Sequence, residues 1–290
     1  MTEGKAKIID GRALAENIKQ ETAAQIAKLD INPGLAVILV GNDAASELYV
    51  ALKAKAAKQV GIIFSLYRFE AEASAKEILD TINWLNKDPE IDAILVQLPL
   101  PDHLNTEQII SAIDPAKDVD GFHLGQSYII PGLVSGIVQL LTSTGANLEG
   151  KLAAIIARSR EFTGTMEYIL GEFGVSANIL NPDDVDVLQQ LPEADIIIVA
   201  AGKPQWIKSN NIKPGAIIID VGTNRLNDNT VVGDVDFKDC APVASWITPV
   251  PGGVGPMTVA MLLKNTVALS INSHSSPQPS PQRGEGTFFC

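Results

Sequence analysis

GLAVILVGNDAASELYVALKAKAAKQVGIIFSLYRF, residues 34–69, is the stretch whose reading decides the fold. GLAVILVG (34–41) is a short apolar run rich in β-branched side chains and bounded by glycine, the pattern of a strand buried on both faces. Residues 44–60 switch to helical spacing in Ala, Lys, Glu and Leu, and IIFSLYRF (62–69) returns to strand. A strand, a helix and a second strand in so short a span predict a βαβ unit, hence parallel strands with helices on the sheet faces.

The rhythm extends outward from this unit. Residues 10–29 predict an amphipathic opening helix, 74–87 a further helix, and DAILVQL (92–98) a third strand. GFHLGQSYIIPG (121–132) is punctuated by Gly and Pro and marks a break. A second rhythm follows: KLAAIIA (151–157), a helix near 163–173, SANIL (176–180), ADIIIVAAG (194–202) and GAIIIDVG (215–222). These strands and helices predict a Rossmann-like unit. GPMTVAMLLKNTVALSI (255–271) has helical apolar spacing at Met257, Ala260, Met261, Leu263 and Val267, and is expected to cross back and brace the first unit. Residues 272–290, rich in Ser, Pro, Gln and Gly, read as a disordered tail. The expectation is an α/β protein of two α/β domains with a cleft between them. One spans 1–130 and is completed by 255–271; the other, Rossmann-like, spans 131–254.

Bulk composition narrows the function classes. A chain of 290 residues suits two domains, and 46% hydrophobic with 19% charged residues is ordinary for a globular protein. A net charge of −12 repels a phosphate backbone, which argues against nucleic-acid binding. Cys240 and Cys290 offer no disulfide framework, and the scattered His103, His123 and His274 offer no metal site. The charged start does not read as a signal peptide, and no apolar run is expected to reach the roughly 18–20 residues that cross a bilayer. A soluble cytoplasmic protein without a membrane partner is expected.

Several side chains are placed to do chemistry. Tyr49 and Lys53, four apart, share a helix face just beyond the first strand, at the sheet edge where ligands of open α/β sheets gather. A lysine there transfers protons if burial lowers its pKa; the plain alternative is a solvated face shared with Lys55 and Lys58. Gln97 leaves the third strand in QLPLP, where Pro99 and Pro101 stiffen the exit and the amide can both donate and accept. Asp118 and Asp120 in IDPAKDVDGFH, beside Gly121, are either a carboxylate pair for an amino-heterocycle or capping residues of a turn. TPVPGGVGPMT (248–258) is a Gly/Pro loop that opens a helix and could wall a flat or anionic ligand.

Taken in order, YVxxKxKA, VQLPLP, DPxKDVDGFH, AAGKP, DVGxNR, GDVDF and TPVPGGVGPMT resemble the bifunctional methylenetetrahydrofolate dehydrogenase/methenyltetrahydrofolate cyclohydrolase family, from about Ile8 to Ile271. The resemblance implies oxidation of 5,10-methylenetetrahydrofolate with a nicotinamide cofactor, then hydrolysis to 10-formyltetrahydrofolate, by a homodimer that binds tetrahydrofolate derivatives. It implies that Lys53 is the proton-transfer lysine, Tyr49 the residue that stacks on folate, and Gln97 the partner that positions the lysine. It further implies that Asp120, with Asp118 beside it, grips the pterin, and that Pro251, Gly252 and Gly255 belong to the wall along the folate.

The cofactor half departs from that pattern. Where the family has G-R-S-x-x-V-G-x-P, this chain reads Ala157-Arg158-Ser159-Arg160-Glu161-Phe162-Thr163-Gly164-Thr165. Arg158 and Ser159 survive, Ala157 and Thr163 are expected to crowd a phosphate, and Gly164 compensates by a shift of one residue. The family's His-Ser-basic-Thr near the NADP 2′-phosphate is Asn181-Pro182-Asp183-Asp184 here, acids that repel phosphate and suit the ribose hydroxyls of NAD. P-C-T-P-x-G becomes Pro131-Gly132-Leu133-Val134-Ser135-Gly136, and the residue after D-V-G is Thr223. NADP is the expected cofactor, with NAD as the alternative and weakened binding in prospect. Three activities stay open at this point: the bifunctional enzyme, a cyclohydrolase alone, and a folate-binding protein without turnover.

Overall fold

The residues of the quoted stretch form the middle strand and one edge strand of a three-stranded parallel sheet. In this computed structural model, which describes residues 6–123 and 129–275, the first half of the chain runs β1 (Lys7–Ile8), α1 (Gly11–Leu29), β2 (Gly34–Val40), α2 (Ala44–Val60), β3 (Ile63–Phe69), α3 (Ala75–Lys87), β4 (Ala93–Val96) and α4 (Thr106–Ser111). Every residue of β2 is buried, because the strand lies between β3 and β4 with helices over both faces. α2 begins where Asp43 accepts the Ser46 amide and ends at Gly61 in the left-handed region. α3 starts with a reciprocal capping box between Ser74 and Glu77.

The second half runs α5 (Gly132–Ser143), β5 (Leu152–Ala157), α6 (Arg160–Glu172), β6 (Ser176–Leu180), α7 (Val187–Gln190), β7 (Ile196–Ala200), β8 (Ile217–Asp220), β9 (Asn224–Arg225), β10 (Val231–Val232), α8 (Phe237–Cys240), β11 (Trp246–Ile247) and α9 (Val254–Ser275). Its main sheet has six parallel strands in the order β1-β11-β8-β7-β5-β6. The chain steps from β5 to β6 on one side and then to β7 on the other. That reversal makes a switch point at the carboxyl ends of β5 and β7, where such sheets hold ligands.

Several boundaries differ from the sequence expectation. β1 does not pair within the first half: Lys7 and Ile8 lie beside Trp246 and Ile247 as the outermost strand of the second sheet. A division at residue 130 therefore leaves one strand on the wrong side. α5 fills a stretch that carries breaker residues, and α9 continues through residues 272–275, which were expected to be tail. Residues 276–290, including Cys290, and residues 124–128 of the Gly/Pro break lie outside the described residues.

α9 joins the halves. Val254, Met257, Ala260 and Met261 belong to the core around β5 and β7, whereas Leu262, Leu263, Val267 and Leu269 belong to the core around β2. Contrary to expectation, residues 254–273 are long and apolar enough to cross a membrane by length and composition, yet most of that surface is buried within these two cores. The loop ahead of α9 is locked to α1: the Arg12 amide donates to the Gly252 carbonyl at 3.1 Å, and a side chain at Gly11 would run into the Gly253 carbonyl. Gly253 has no room either, since a Cβ there would sit 2.7 Å from Thr248 Cβ.

Candidate active site in the cleft between the two sheets

A cleft of about 600 Å³ opens between α1, α2 and the loop before α9 on one side and the exit of β8 on the other. Tyr49 and Leu52 line one wall, Pro251, Gly252 and Gly255 the adjoining one, and Thr223 the wall contributed by the second sheet. Tyr49 is 41% exposed, a large aromatic face left open to a ligand.

One turn along α2 from Tyr49, Lys53 reaches Gln97 at the exit of β4. Its Nζ donates to Gln97 Oε1 at 2.9 Å. Gln97 Nε2 in turn donates to the Leu98 carbonyl at 2.7 Å, which fixes the amide so that its oxygen, not its nitrogen, faces the lysine. Burial drives the Lys53 pKa down, and the carboxylate of Asp120 partly opposes that shift. Burial pushes Asp120 up to about 6, against the pull of the Lys53 charge and with a further upward push from Asp118. The plain alternative for Lys53, a solvated face, is therefore the wrong description. Lys55 is exposed on the same helix and has no such partner among the described hydrogen bonds.

Asp118 does not share this site. It is fully buried, and its carboxylate accepts the Gly121 amide at 3.0 Å, the His123 amide at 2.9 Å and His123 Nδ1 at 2.9 Å. Its job is to shape the turn that presents Asp120, the second of the two roles that the sequence left open.

Two family models cover most of the chain: the tetrahydrofolate dehydrogenase/cyclohydrolase catalytic domain matches residues 9–120, and the NAD(P)-binding domain of the same family matches residues 131–274. The chain belongs to the tetrahydrofolate dehydrogenase/cyclohydrolase family. It is 43% identical to the bifunctional protein FolD of Acetivibrio thermocellus, over 90% of this chain and 96% of that one. Its fold is similar to that of the bifunctional FolD enzyme of Campylobacter jejuni, with a TM-score of 0.88, 40% identity and coverage of 92% and 99% of the two chains. The Trypanosoma brucei FolD, solved with NADP and an inhibitor, also gives 0.88, at 32% identity and coverage of 94% and 100%.

The family's dinucleotide half lies at the switch point. Arg158 and Ser159 leave β5 there, and Ser159 caps α6 by accepting the Phe162 amide at 3.1 Å. Ala157 and Thr163 do not crowd this edge as expected: both side chains are buried, and the Thr163 hydroxyl turns back to the Arg160 carbonyl. Gly164 does not compensate for a lost turn glycine. It is the fifth residue of α6, past the first-turn amides that a helix leaves free for an anion.

Three residues without a sequence-derived role complete the edge. Buried Asp234 accepts the amides of Ala201, Gly202 and Lys203 at 2.6, 3.1 and 2.8 Å, as well as Asn224 Nδ2, and so shapes the turn after β7. Asp220, raised to about 7 by burial, accepts the Gly222, Asp234 and Val235 amides and ties β8 to the β9–β10 hairpin behind Thr223. Lys203 brings a second cation to Arg158, with its Nζ 3.4 Å from Asp183 and 4.6 Å from the Trp206 ring centroid. The repeated D-V-G and G-D-V-D-F blocks were the available signal for the two aspartates. Two cations and a helix start at the switch point fit an anionic dinucleotide.

Proposed function

We propose that this chain oxidises 5,10-methylenetetrahydrofolate to the 5,10-methenyl form with NADP and hydrolyses that product to 10-formyltetrahydrofolate. The observation that carries the reading is Lys53 Nζ held 2.9 Å from Gln97 Oε1 under the influence of Asp120, one helical turn from Tyr49, which lines the cleft. Membership of a family whose relatives are named as bifunctional supports both steps. Neither a cyclohydrolase alone nor a folate binder without turnover draws support from them.

The residues divide the work. Tyr49 stacks on the flat part of the folate, against the wall of Pro251, Gly252 and Gly255. Asp120 is ionised at neutral pH and accepts paired hydrogen bonds from the pterin. Hydrolysis begins with water adding to the methenyl carbon and losing a proton. The bond from that carbon to N5 then breaks as N5 gains a second one, while the adduct's hydroxyl releases its own proton to solvent and becomes the formyl oxygen, so one proton is released overall. Lys53 takes up the first proton and returns the second, because burial keeps its neutral form accessible. Gln97 orients the amine without adding charge, so it does not lock the lysine in its ammonium form. Bound NADP supplies the hydride acceptor for the oxidation. Arg158, Ser159 and Lys203 would hold its anionic groups, with Thr223 on the wall nearer the folate.

The first 130 residues, completed by 255–271, thus carry the folate chemistry and 131–254 the dinucleotide. We take the enzyme to work in the cytoplasm as a homodimer, on folates rather than nucleic acid or lipid. The net charge of −12 supports the exclusion of nucleic acid, and sedimentation would test the dimer. The deciding assay follows reduced nicotinamide with NADP and with NAD, beside loss of methenyl absorbance without cofactor. No reduction with either dinucleotide at saturating folate would remove the dehydrogenase.

A further inference from the structure

Arg158 and Lys203 do not wait for a ligand as bare cations. Arg158 Nε donates to Asp183 Oδ2 and Nη2 to Asp183 Oδ1, both at 2.8 Å, a two-point pairing that matches the fork to the carboxylate. Its remaining Nη1 donates to the Ala201 carbonyl at 2.7 Å, tying the turn after β5 to the turn after β7. Lys203 Nζ donates to the Pro182 carbonyl and lies 3.4 Å from the same Asp183 carboxylate. Asp183 therefore faces both cations at the switch point from the loop after β6, and about half of its side chain is open to solvent at 54% exposure.

An acid on the loop after the second strand of a Rossmann unit is placed to accept from the adenosine ribose 2′-hydroxyl of NAD, whereas an arginine there suits the 2′-phosphate of NADP. This chain holds both groups and pairs them with each other. A 2′-phosphate must displace Asp183 from Arg158 and then sit beside its negative charge. A free 2′-hydroxyl can donate to the carboxylate and leave the pair in place. Resting on the dehydrogenase reading above, we propose that Asp183 sets this chain's choice between the two cofactors, opposing the NADP 2′-phosphate and admitting NAD as a working alternative.

The test is fragment binding by calorimetry without folate, using ADP-ribose and 2′-phospho-ADP-ribose on the full chain and on Asp183→Asn. The expected wild-type affinities lie within about tenfold of each other, the scale of one charge-assisted hydrogen bond. In D183N the 2′-phosphorylated fragment should bind about tenfold or more tighter while ADP-ribose weakens severalfold. The same shift should appear in the ratio of kcat/KM for NADP and NAD. Unchanged affinities, or equal changes for both fragments in a variant whose Tm matches the wild type, would overturn the inference and leave the dehydrogenase standing. A loss of Tm calls for Asp183→Ser under the same criterion. Failure of the wild type to bind either fragment would overturn this inference and the dehydrogenase together.

Discussion

Lys53 and Arg158 are both cations near the carboxyl edge of a parallel sheet, and each has a partner that fixes its geometry. Lys53 is held by a neutral amide oxygen, Arg158 by a full carboxylate. A neutral acceptor orients a cation without stabilising its charge, so the downward push of burial on the Lys53 pKa is not cancelled by its partner. A carboxylate stabilises the cation and must be displaced before another anion uses it. The edge of the first sheet is thus built for a protonation state that changes, and that of the second for a charge that stays fixed.

The largest effect should come from removing the mobile proton. Lys53→Met is expected to slow methenyl hydrolysis by about 10³-fold, in the middle of the range for a positioned general acid–base group. Folate binding should survive, since Tyr49 and Asp120 remain. Loss of methenyl absorbance in the absence of cofactor reads the first effect, and fluorescence titration the second. Hydrolysis within tenfold of the wild type would show that another group moves the protons.

Next comes Asp120, whose grip depends on its charge. Its carboxyl titrates near 6 because burial raises it, so it is ionised at neutral pH and takes up a proton as the pH falls. Folate affinity should accordingly weaken below pH 6 and level off above it. Asp120→Asn should cost about tenfold to a hundredfold in folate affinity at pH 7.5, the scale of charge-assisted hydrogen bonds, and flatten the pH dependence. A variant that keeps the acidic limb would place the titration on another group.

Gln97→Glu then imports the arrangement of Arg158 into the site of Lys53. A carboxylate at that oxygen would raise the lysine pKa, moving the alkaline rise of hydrolysis to higher pH and lowering the rate at neutral pH about tenfold. The readout is the pH–rate profile. An unmoved midpoint would mean that the neutrality of the partner is unimportant, and the contrast between the two cations would lose its point.

The two ends were also unequally legible in the sequence. β2, α2 and β6 could be read almost residue for residue, since each carries its period and its end signals within its own span. Lys53 could be placed beside Gln97 only through the family motifs, as the two lie 44 residues apart. β1 and β11 have two residues each, too few to carry a period; β1 is a strand only through its pairing with β11, which in turn lies against β8. α5 was hidden by its glycines: a Cβ on Gly136 would lie 3.1 Å from Met257 Cβ, so the residue that weakens the helical signal is the one that lets α5 approach α9. The acids at 183 and 184 were visible as departures, but the pairing of Asp183 with Arg158 and Lys203 depends on three loops meeting at one sheet edge.

The smallest expected effect tests whether the cleft divides as the two cations do. Thr223 is an exposed hydroxyl on a wall that otherwise presents Val221, Val231 and Pro249. It is held by the β8 exit, which Asp220 locks to the neighbouring hairpin. Thr223→Ile replaces the hydroxyl with apolar surface; about 40 Å² of extra burial at the usual coefficient is worth about 1 kcal/mol, or roughly fivefold in the dehydrogenase kcat/KM. The gain should fall on the oxidation alone, because Thr223 follows β8 of the second sheet, whereas Lys53 and Gln97 are held by α2 and β4 of the first. Parallel stopped assays of nicotinamide reduction and cofactor-free hydrolysis separate the two. An equal change in both rates would mean that this wall touches the folate during hydrolysis as well, and that the boundary between the halves lies deeper in the second sheet than Thr223.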